Sequence, residues 1–454
     1  MKKSTQPLCF TLLDPRTGSL EIRNRSYFLN ASVYDTRWML TADDEVVASG
    51  NLDVDVEPTA IKAFRIPYTK PAIQPGKEYR LTVSSHLRND ELWAKAGHEV
   101  AWEQFELSDW NMPAQVPAKP EGTVSLEQTS SVIIASGNGF RYEFDAKHGM
   151  LSQIMVDGKN LLTQPLRLNV WRAPVANEVD GWNAYSSRAA FQNNKGGYGA
   201  IGHNNTLASM YYSAGLDHVG FQPLTVSARQ VDGSVIVDVR ELALFGSARE
   251  QQLDAYIFGR TNVGMENIYT YRIDADGTIT IRHTINPQGE MPAWLPRVGV
   301  TLSLDATLNQ VEWYGRGPQA SYPDRKSGYR MGIYKESVEA MYEPYLIPQD
   351  YGLRTDNRWV RFTDADGRGL QFRVDTPFAF NAYPFTTDNL TRSVYQYQLQ
   401  RSGDITVNLD YATSGVGCTA RGIFDAYRAY PMGYERTITI SINNYLASGV
   451  TSAL

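Results

Sequence analysis

Apolar and polar residues alternate with a period of two along much of this chain. Residues 19–24, 78–83, 234–239 and 278–282 show it most clearly, and each predicts a strand with one buried face. Long helical periodicity is nearly absent; residues 335–341 are the best short helix. Strands do not alternate with helices, so the pattern predicts an all-β protein rather than a doubly wound sheet. Turn-forming pairs separate the strands: Pro75-Gly76, Asp157-Gly158, Asp232-Gly233, Asp276-Gly277 and Asp366-Gly367.

One segment has the composition of a linker. Residues 108–123 read SDWNMPAQVPAKPEGT, with three prolines and few apolar side chains. Residues 1–107 then have the size of one immunoglobulin-like β-sandwich, which has about seven strands. Residues 124–454 carry too many predicted strands for a simple sandwich. They predict a large, two-layer β supersandwich.

Composition excludes several classes of protein. The 454 residues are 42% hydrophobic and 20% charged, so most of the chain is expected to fold. The net charge of −6 argues against a nucleic-acid partner. The sequence contains no run of about eighteen apolar residues, so it predicts no membrane-spanning helix. Two cysteines, Cys9 and Cys418, cannot form a disulfide scaffold; two buried thiols are the favoured interpretation, and one long-range disulfide is the alternative. Scattered histidines predict no metal site, and no motif indicates a cofactor.

The amino terminus does not predict a compartment. The opening MKKSTQP is charged, as in a signal peptide, but the apolar stretch behind it is short and Asp14 and Pro15 interrupt it. We interpret it as a tag, an artificial start or a natural start without an export signal. A cytoplasmic or a periplasmic location of the full-length protein stays open.

Several motifs carry a resemblance to a known family. The first segment contains LEIRNRSYFLN at residues 20–30 and ends with AGHEVAWEQF at residues 96–105. It resembles the immunoglobulin-like domain that follows the catalytic barrel in family 2 β-galactosidases. The rest resembles the C-terminal domain of that family through FRYEFD, WRAPVANE, WYGRGPQASYPDR, YEPYLIPQDYGLR, NLDY and GVG, which begin at residues 140, 171, 313, 342, 408 and 415.

The resemblance implies a fold, a role and a partner. It implies that the second domain is a galactose-mutarotase-like supersandwich. A retaining glycosidase needs two carboxylates about 5–5.5 Å apart, and in the family these lie on the barrel, which this chain lacks. The chain is therefore expected to be the non-catalytic C-terminal portion, or a small subunit, of a β-galactosidase. Its role would be to pack on the barrel, shape the substrate cleft and support contacts in a possible homo-oligomer.

The chain also departs from the family pattern. Ala176, Ala320 and Asp350 stand where the family usually has Asp, Glu and Glu. Residues 418–422 lack the tryptophan that often leans into the catalytic pocket of the family's galactosidases.

Polar residues in the Gly- and Pro-rich connections are the candidate carbohydrate-binding residues. Planar polar groups suit paired sugar hydroxyls, above an aromatic platform for which Trp182, Tyr322, Tyr351 and Trp359 are candidates. The other interpretation, which we favour, is a buried Arg–carboxylate network that ties the loops to the sheets. The three tryptophans Trp38, Trp93 and Trp102 are interpreted as core or interface residues. The candidate residues are Arg172, Asn177, Tyr322, Asp324, Arg325, Gln349, Asp350, Arg354, Arg358 and Trp359.

Three other functions remain as alternatives. A purely structural scaffold would bind no sugar and would associate tightly with a barrel polypeptide. A stand-alone pair of carbohydrate-binding modules would bind galactosides without a partner. An aldose-epimerase-like enzyme would need a histidine and a carboxylate as base and acid. The spacing pairs none of the candidates, and histidines with a purely structural role are the favoured interpretation. These candidates are His148, His203, His218 and His283 with Asp324, Asp350 or Glu343.

Overall fold

The structure is a computed structural model of the chain. It describes residues 2–110, 112–113, 120–179, 207–246, 263–417 and 423–443. Strands dominate these residues, which confirms the predicted all-β class. The chain forms two compact units that divide between Ala118 and Lys119. The domain limits predicted from the sequence stay predictions.

The first unit is a sandwich of two antiparallel sheets. One has the order β1-β2-β5 and the other β4-β3-β6-β7. Apolar side chains from both sheets meet in one core, as expected when alternating strands pack face to face. The strands are β1 (Leu8–Asp14), β2 (Ser19–Asn24), β3 (Tyr34–Ala42), β4 (Glu45–Leu52), β5 (Ile61–Arg65), β6 (Tyr79–Leu87) and β7 (Glu99–Glu106).

Aromatic residues hold the end of this unit together. Trp110 lies in a short 3-10 helix, Ser108–Trp110, at the start of the predicted linker, and it is buried. Its ring packs edge-on against Tyr68 and Tyr79, with centroids 5.8 and 6.0 Å away. Trp38 is also buried in this core, whereas Trp93 is 65% exposed. Trp38 is therefore a core residue and Trp102 is also buried, while the interface role stays a prediction for the exposed Trp93.

The second unit contains a small and a large antiparallel sheet. The small sheet has the order β12-β11-β10-β9-β8, and its Phe144 packs edge-on against Tyr271 of the large sheet at 5.0 Å. The strands of the small sheet are β8 (Ser125–Gln128), β9 (Val132–Gly137), β10 (Phe140–Asp145), β11 (Leu151–Val156) and β12 (Lys159–Asn160).

In the large sheet the main path is β13-β18-β23-β22-β24-β17-β16-β15-β14, and β19, β20 and β21 extend it beside β22. Its strands are β13 (Leu162–Asn169), β14 (Val219–Val231), β15 (Ser234–Phe245), β16 (Gly264–Ile273), β17 (Ile279–Gln288), β18 (Arg297–Asp305), β19 (Gln310–Gly317), β20 (Arg330–Ser337), β21 (Arg354–Thr363), β22 (Gly369–Tyr383), β23 (Asp404–Thr413) and β24 (Tyr434–Asn443).

Strand β22 changes partner half-way along its length. Its first half, residues 369–374, pairs with β24, and its last half, residues 379–383, pairs with β23. Pro377 lies between the two halves, where a residue without an N–H cannot continue a ladder. The last half of β22 therefore lies beside β23, and this placement builds the polar site described below.

Most sequence predictions of local structure are confirmed. The four alternating segments coincide with parts of β2, β6, β15 and β17. Both residues of Asp157-Gly158 and of Asp232-Gly233 have positive φ, as a two-residue hairpin loop requires. The helix predicted at residues 335–341 is wrong, because β20 extends to Ser337 and pairs with β19. Cross-strand pairing outweighs the weak local helical pattern there.

Helices are short in the described part of the chain. They are α1 (Lys2–Thr5), α2 (Ala176–Val179), α3 (Leu207–Ser213) and α4 (Thr387–Arg392). None of the described helices has the length and apolarity that crossing a bilayer requires. Cys9 is half-buried rather than fully buried, and Cys418 lies outside the described residues.

Glu241 of β15 gives the second unit a testable pH dependence. Burial raises the pKa of this carboxyl to about 7, although Arg167 opposes the shift. A glutamate in the unfolded chain ionises near pH 4.5. Ionisation therefore stabilises the unfolded state more than the folded state between pH 4.5 and 7, and the free energy of unfolding falls over this range. We therefore expect the free energy of unfolding of Glu241→Gln, relative to the unmodified chain, to rise by about 3 kcal/mol from pH 4.5 to 8. Urea unfolding at several pH values measures this difference.

His283 supplies an internal control, because its effect on stability should depend on pH in the opposite direction. Burial lowers its pKa to about 3, so its contribution to stability is lost as the pH falls below 6.5. The free energy of unfolding of His283→Gln, relative to that of the unmodified chain, should therefore rise as the pH falls below 6.5 and change little above it. A Glu241→Gln difference that stays constant with pH would contradict the prediction.

Candidate functional site

A chain of asparagines crosses the buried end of the large sheet. Asn169 of β13 donates to Asn408 of β23 at 2.9 Å, and Asn408 donates to Asn381 of β22 at 2.9 Å. Asn381 then donates to the carboxylate of Asp350 at 3.2 Å. All four side chains are buried, where a polar group requires a partner. This chain of side-chain hydrogen bonds therefore leads from the large sheet to Asp350, which lies in a loop.

Asp350 is the centre of a buried polar cluster. Its carboxylate pairs with Arg297, the first residue of β18, at 2.9 Å. Tyr383 donates its hydroxyl to the same carboxylate at 2.6 Å, and Tyr322 donates to the second oxygen. Burial raises the pKa of both phenols well above the ordinary value, so each keeps its proton. The charge of Asp350 is thus balanced by a cation and by neutral donors.

Asp410 of β23 is less fully paired. Its oxygen lies 3.6 Å from Nε of Arg297, and both carboxylate oxygens lack a hydrogen bond among the described residues. Burial raises the pKa of Asp410 to about 7, although Arg297 opposes the shift. Asp350 has the closer contact with Arg297, so it is the main counter-charge of this guanidinium.

A second buried ion pair anchors the loop at residues 171–178. Arg172 contacts Glu178 of α2 at 2.6 Å, and neither side chain is exposed. Glu178 also accepts from the N–H of Val175 and from the hydroxyl of Tyr211. The guanidinium of Arg172 donates to the carbonyl groups of Ser414 and Gly415, at 2.7 and 2.8 Å. Arg172 thus joins two loops.

Hydrogen bonds interlock four loops around these charges: residues 171–178, 315–325, 348–354 and 414–417. Asn177 donates to the carbonyls of Val416 and Gly417, at 3.0 and 2.8 Å. The N–H of Gly417 donates to Asp324 at 2.7 Å. Gln349 accepts from the N–H of Ala176 at 2.7 Å. The loops therefore form one unit whose backbone positions depend on each other.

Gly415 shows how closely these loops approach. A Cβ at this position would lie 2.5 Å from the carboxylate carbon of Asp324, so a larger residue would displace that side chain. The neighbouring Gly417 has a φ of +76°, which favours glycine. The two glycines thus permit the contact between the loop at residues 414–417 and Asp324.

The structure brings six of the ten predicted residues into the four-loop network: Arg172, Asn177, Tyr322, Asp324, Gln349 and Asp350. Arg325 lies over the ring of Tyr322 at 4.9 Å and is exposed, while the buried Arg354 contacts Glu336 at 3.4 Å. Arg358 and Trp359 lie further along β21, where Trp359 contacts Arg361. The carbohydrate-binding role of all ten stays a prediction.

The burial of these residues matches the favoured interpretation for part of the set. Arg172, Tyr322, Asp350 and Arg354 are buried and have partners within the chain. Tyr351 is buried as well, so neither Tyr322 nor Tyr351 exposes its ring as a platform, and Trp182 lies outside the described residues. Asn177, Asp324, Arg325 and Gln349 keep some exposed surface. Any ligand at these loops would therefore contact these four partly exposed residues before the buried ones.

The described histidines have partners other than the carboxylates considered above. His148 contacts Asp145 at 3.0 Å, and His218 contacts its neighbour Asp217 at 2.9 Å. His283 is buried, hydrogen-bonded to Tyr411 and Asn267, and stacked on Tyr269 at 4.1 Å. His203 lies outside the described residues. The structural role favoured for histidines describes His283 well.

The sequence analysis missed the strand residues of the cluster. A signal was present in β23, because Asn408 and Asp410 stand in a strand that is buried on both faces. Polar residues at such positions need partners, and their spacing of two places them on one face of the sheet. The missed strand residues are Asn169, Arg297, Asn381, Tyr383, Asn408 and Asp410, and Glu178 of α2 was missed as well.

Comparison with known proteins gives consistent matches. The family model described as "Beta galactosidase small chain" matches residues 136–440, and "Beta-galactosidase, domain 4" matches residues 20–108. The β-galactosidase of Priestia megaterium is 30% identical over 92% of this chain and 36% of its own length. That of Pseudoalteromonas haloplanktis is 26% identical over 92% of this chain and 37% of its own length.

A solved structure, galactose 1-epimerase from Lactobacillus acidophilus NCFM, covers 72% of this chain and all of its own, with 10% identity and a TM-score of 0.35. The chain spans little more than a third of the β-galactosidases that it matches. The family model for the small chain extends over more than half of the sequence and includes all four interlocked loops. This chain therefore belongs to the β-galactosidase small-chain family.

Proposed function

We propose that this chain accompanies the catalytic barrel of a β-galactosidase, as the C-terminal region of one polypeptide or as a small subunit. The observation that carries the proposal is the alignment of 92% of the chain with about a third of complete β-galactosidases. The complete enzyme would hydrolyse terminal β-galactosides with retention. The barrel would supply the acid/base and the nucleophile, which must lie about 5–5.5 Å apart.

In this proposal the four interlocked loops form one wall of the substrate cleft. Support comes from their rigidity, because buried ion pairs and backbone hydrogen bonds fix them without a ligand. Groups that are positioned in advance lose little entropy when they contact a substrate. Arg325 and Gln349 keep exposed surface at these loops and are the proposed polar contacts. The same unit would also provide subunit contacts.

The alternative functions have weaker support. An epimerase would need a histidine that exchanges protons near neutral pH, whereas burial keeps His283 neutral. For a stand-alone binding protein, calorimetry with galactose and lactose on the isolated chain gives the test. Binding that needs no partner and disappears in Arg325→Ala would favour that function over the cleft wall.

Co-expression tests the leading proposal. The reading frame upstream of the Met1 codon is sequenced, and a barrel-encoding polypeptide found there is expressed with and without this chain. We expect a stable complex that hydrolyses 2-nitrophenyl β-galactoside, and at least about a hundredfold less hydrolysis by either polypeptide alone, because positioning a substrate gives effects of this size. Hydrolysis by this chain alone, lost when its own carboxylates are replaced, would overturn the proposal.

A further inference from the structure

A pair of stacked tyrosines, one half-buried and one exposed, lies in the second unit in a segment outside the four interlocked loops. The rings of Tyr395 and Tyr397 are nearly parallel, at an interplanar angle of 10° and a centroid distance of 5.3 Å. Tyr397 is 81% exposed. Large aromatic side chains bury much of their surface in most folds, so the exposed ring of Tyr397, stacked on the half-buried Tyr395, indicates a contact surface. We refer to Tyr395 and Tyr397 as the tyrosine platform.

Side-chain hydrogen bonds to the backbone hold this platform in place. Gln398 accepts from the N–H groups of Val394 and Tyr395, at 2.8 and 3.0 Å. Gln396 donates to the carbonyls of Pro344 and Tyr345, both at 2.8 Å. These bonds fix the short 3-10 helix Gln396–Gln398, so the rings are oriented before any ligand arrives.

Helix α4 supports the platform from the other side. Asn389 accepts from the N–H of Gln400 at 2.8 Å and donates to the carbonyl of Gln398 at 3.3 Å. Thr386 caps the start of α4 by accepting from the N–H of Asn389. Loops that a rigid support holds in one position often carry binding residues.

The segment that carries the platform is uncharged and rich in carboxamides. Residues 393–400 read SVYQYQLQ and contain no ionisable side chain other than the two tyrosines. The flanking charges are paired with each other, Arg392 with Asp388 and Arg401 with Glu339. The amide nitrogen of Gln396 and the amide oxygen of Gln398 already bond to the backbone, so Gln396 offers its oxygen and Gln398 its N–H groups to neighbouring hydroxyl groups. An aromatic face beside planar amides therefore fits a neutral sugar ring better than an ionic ligand.

From this geometry we propose that the tyrosine platform binds a neutral hexopyranoside, with one sugar ring stacked on Tyr397 and the exposed glutamines contacting its hydroxyl groups. The choice of galactosides among neutral sugars rests on the proposed function of the chain. The preformed loop and the uncharged segment do not depend on that function.

The test uses the full chain with β-1,4-galactobiose and β-1,4-galactan as probes, followed by calorimetry and affinity gel electrophoresis. We expect Tyr397→Ala to weaken binding at least about tenfold, which corresponds to about 1.4 kcal/mol. Tyr397→Phe should bind like the unmodified chain, because it keeps the ring. The matched control is Phe424→Ala, since Phe424 is also exposed in the same unit, and it should change nothing.

Three outcomes would overturn the inference, and a fourth comparison separates it from the proposed function. Absence of binding to both probes, or equal binding by Tyr397→Ala, removes the site. Preference for polygalacturonate over galactan rejects a neutral ligand. A change of oligomeric state in Tyr397→Ala, measured by light scattering, would assign the platform to a protein contact instead. If galactan binds but the co-expressed polypeptides hydrolyse no galactoside, the platform stands and the proposed function fails. If the co-expressed polypeptides hydrolyse galactosides but the chain binds no galactan, the proposed function stands and the platform fails.

Discussion

Replacing Asp350 by alanine is expected to lower the free energy of unfolding of the second unit by about 3–5 kcal/mol, the cost of breaking a buried ion pair. The carboxylate is the counter-charge of Arg297 at 2.9 Å and accepts from Tyr322, Tyr383 and Asn381. Its removal leaves a buried cation and several buried donors without their acceptor. Urea unfolding followed by near-ultraviolet circular dichroism measures the loss.

Two further variants sharpen this test. Asp350→Asn keeps an acceptor oxygen but removes the charge, so its loss should be smaller than that of alanine. Asp366→Ala removes a carboxylate from an exposed pair with Arg368 and should cost less than about 1 kcal/mol. If Asp350→Ala lowered the free energy of unfolding no more than Asp366→Ala does, the buried cluster around Asp350 would not stabilise the loops.

The second large effect is expected for Glu178→Ala, which should also cost about 3–5 kcal/mol. Arg172 would remain in an environment without solvent, and its counter-ion at 2.6 Å would be gone. Because Arg172 also donates to Ser414 and Gly415, the loop at residues 414–417 should open with it. Urea unfolding gives the loss of stability, and faster amide exchange at Gly417 would report the opening.

A double replacement separates charge from packing. Arg172→Met combined with Glu178→Met should be less destabilising than Glu178→Ala alone, since two apolar groups leave no buried charge. The exposed pair of Arg282 and Glu435 is the matched control, and Glu435→Ala should cost under about 1 kcal/mol. A double variant no more stable than Glu178→Ala would show that the charge of Arg172 is not the cause.

The fold could be predicted where local patterns decide it. Alternating strands such as β2 and turns such as Asp232-Gly233 follow from side-chain period and backbone freedom, and these predictions are confirmed. Residues 335–341 show the limit, because pairing of β20 with β19 outweighs a weak helical pattern. The change of partner half-way along β22 also depends on contacts between distant parts of the chain.

The site was predictable in its loops and not in its strands. Motif resemblance pointed to residues such as Arg172 and Asp350, and the structure brings both into one network. Arg297 and Asp410 were missed because sequence spacing does not show which strands are neighbours. Which loop residues are buried could not be read from composition either, since Tyr322 and Arg325 are close in sequence but only Arg325 is exposed.

Strand β14 stands at the outer end of the strand order, where unsatisfied backbone groups can recruit another chain. The 13 residues of this strand would offer a long template for aggregation if the ladder were regular. Pro223 removes one donor, and the register with β15 shifts between Pro223 and Thr225. A proline and an irregular register make such a strand a poorer template for the pairing of separate molecules than a regular ladder of the same length.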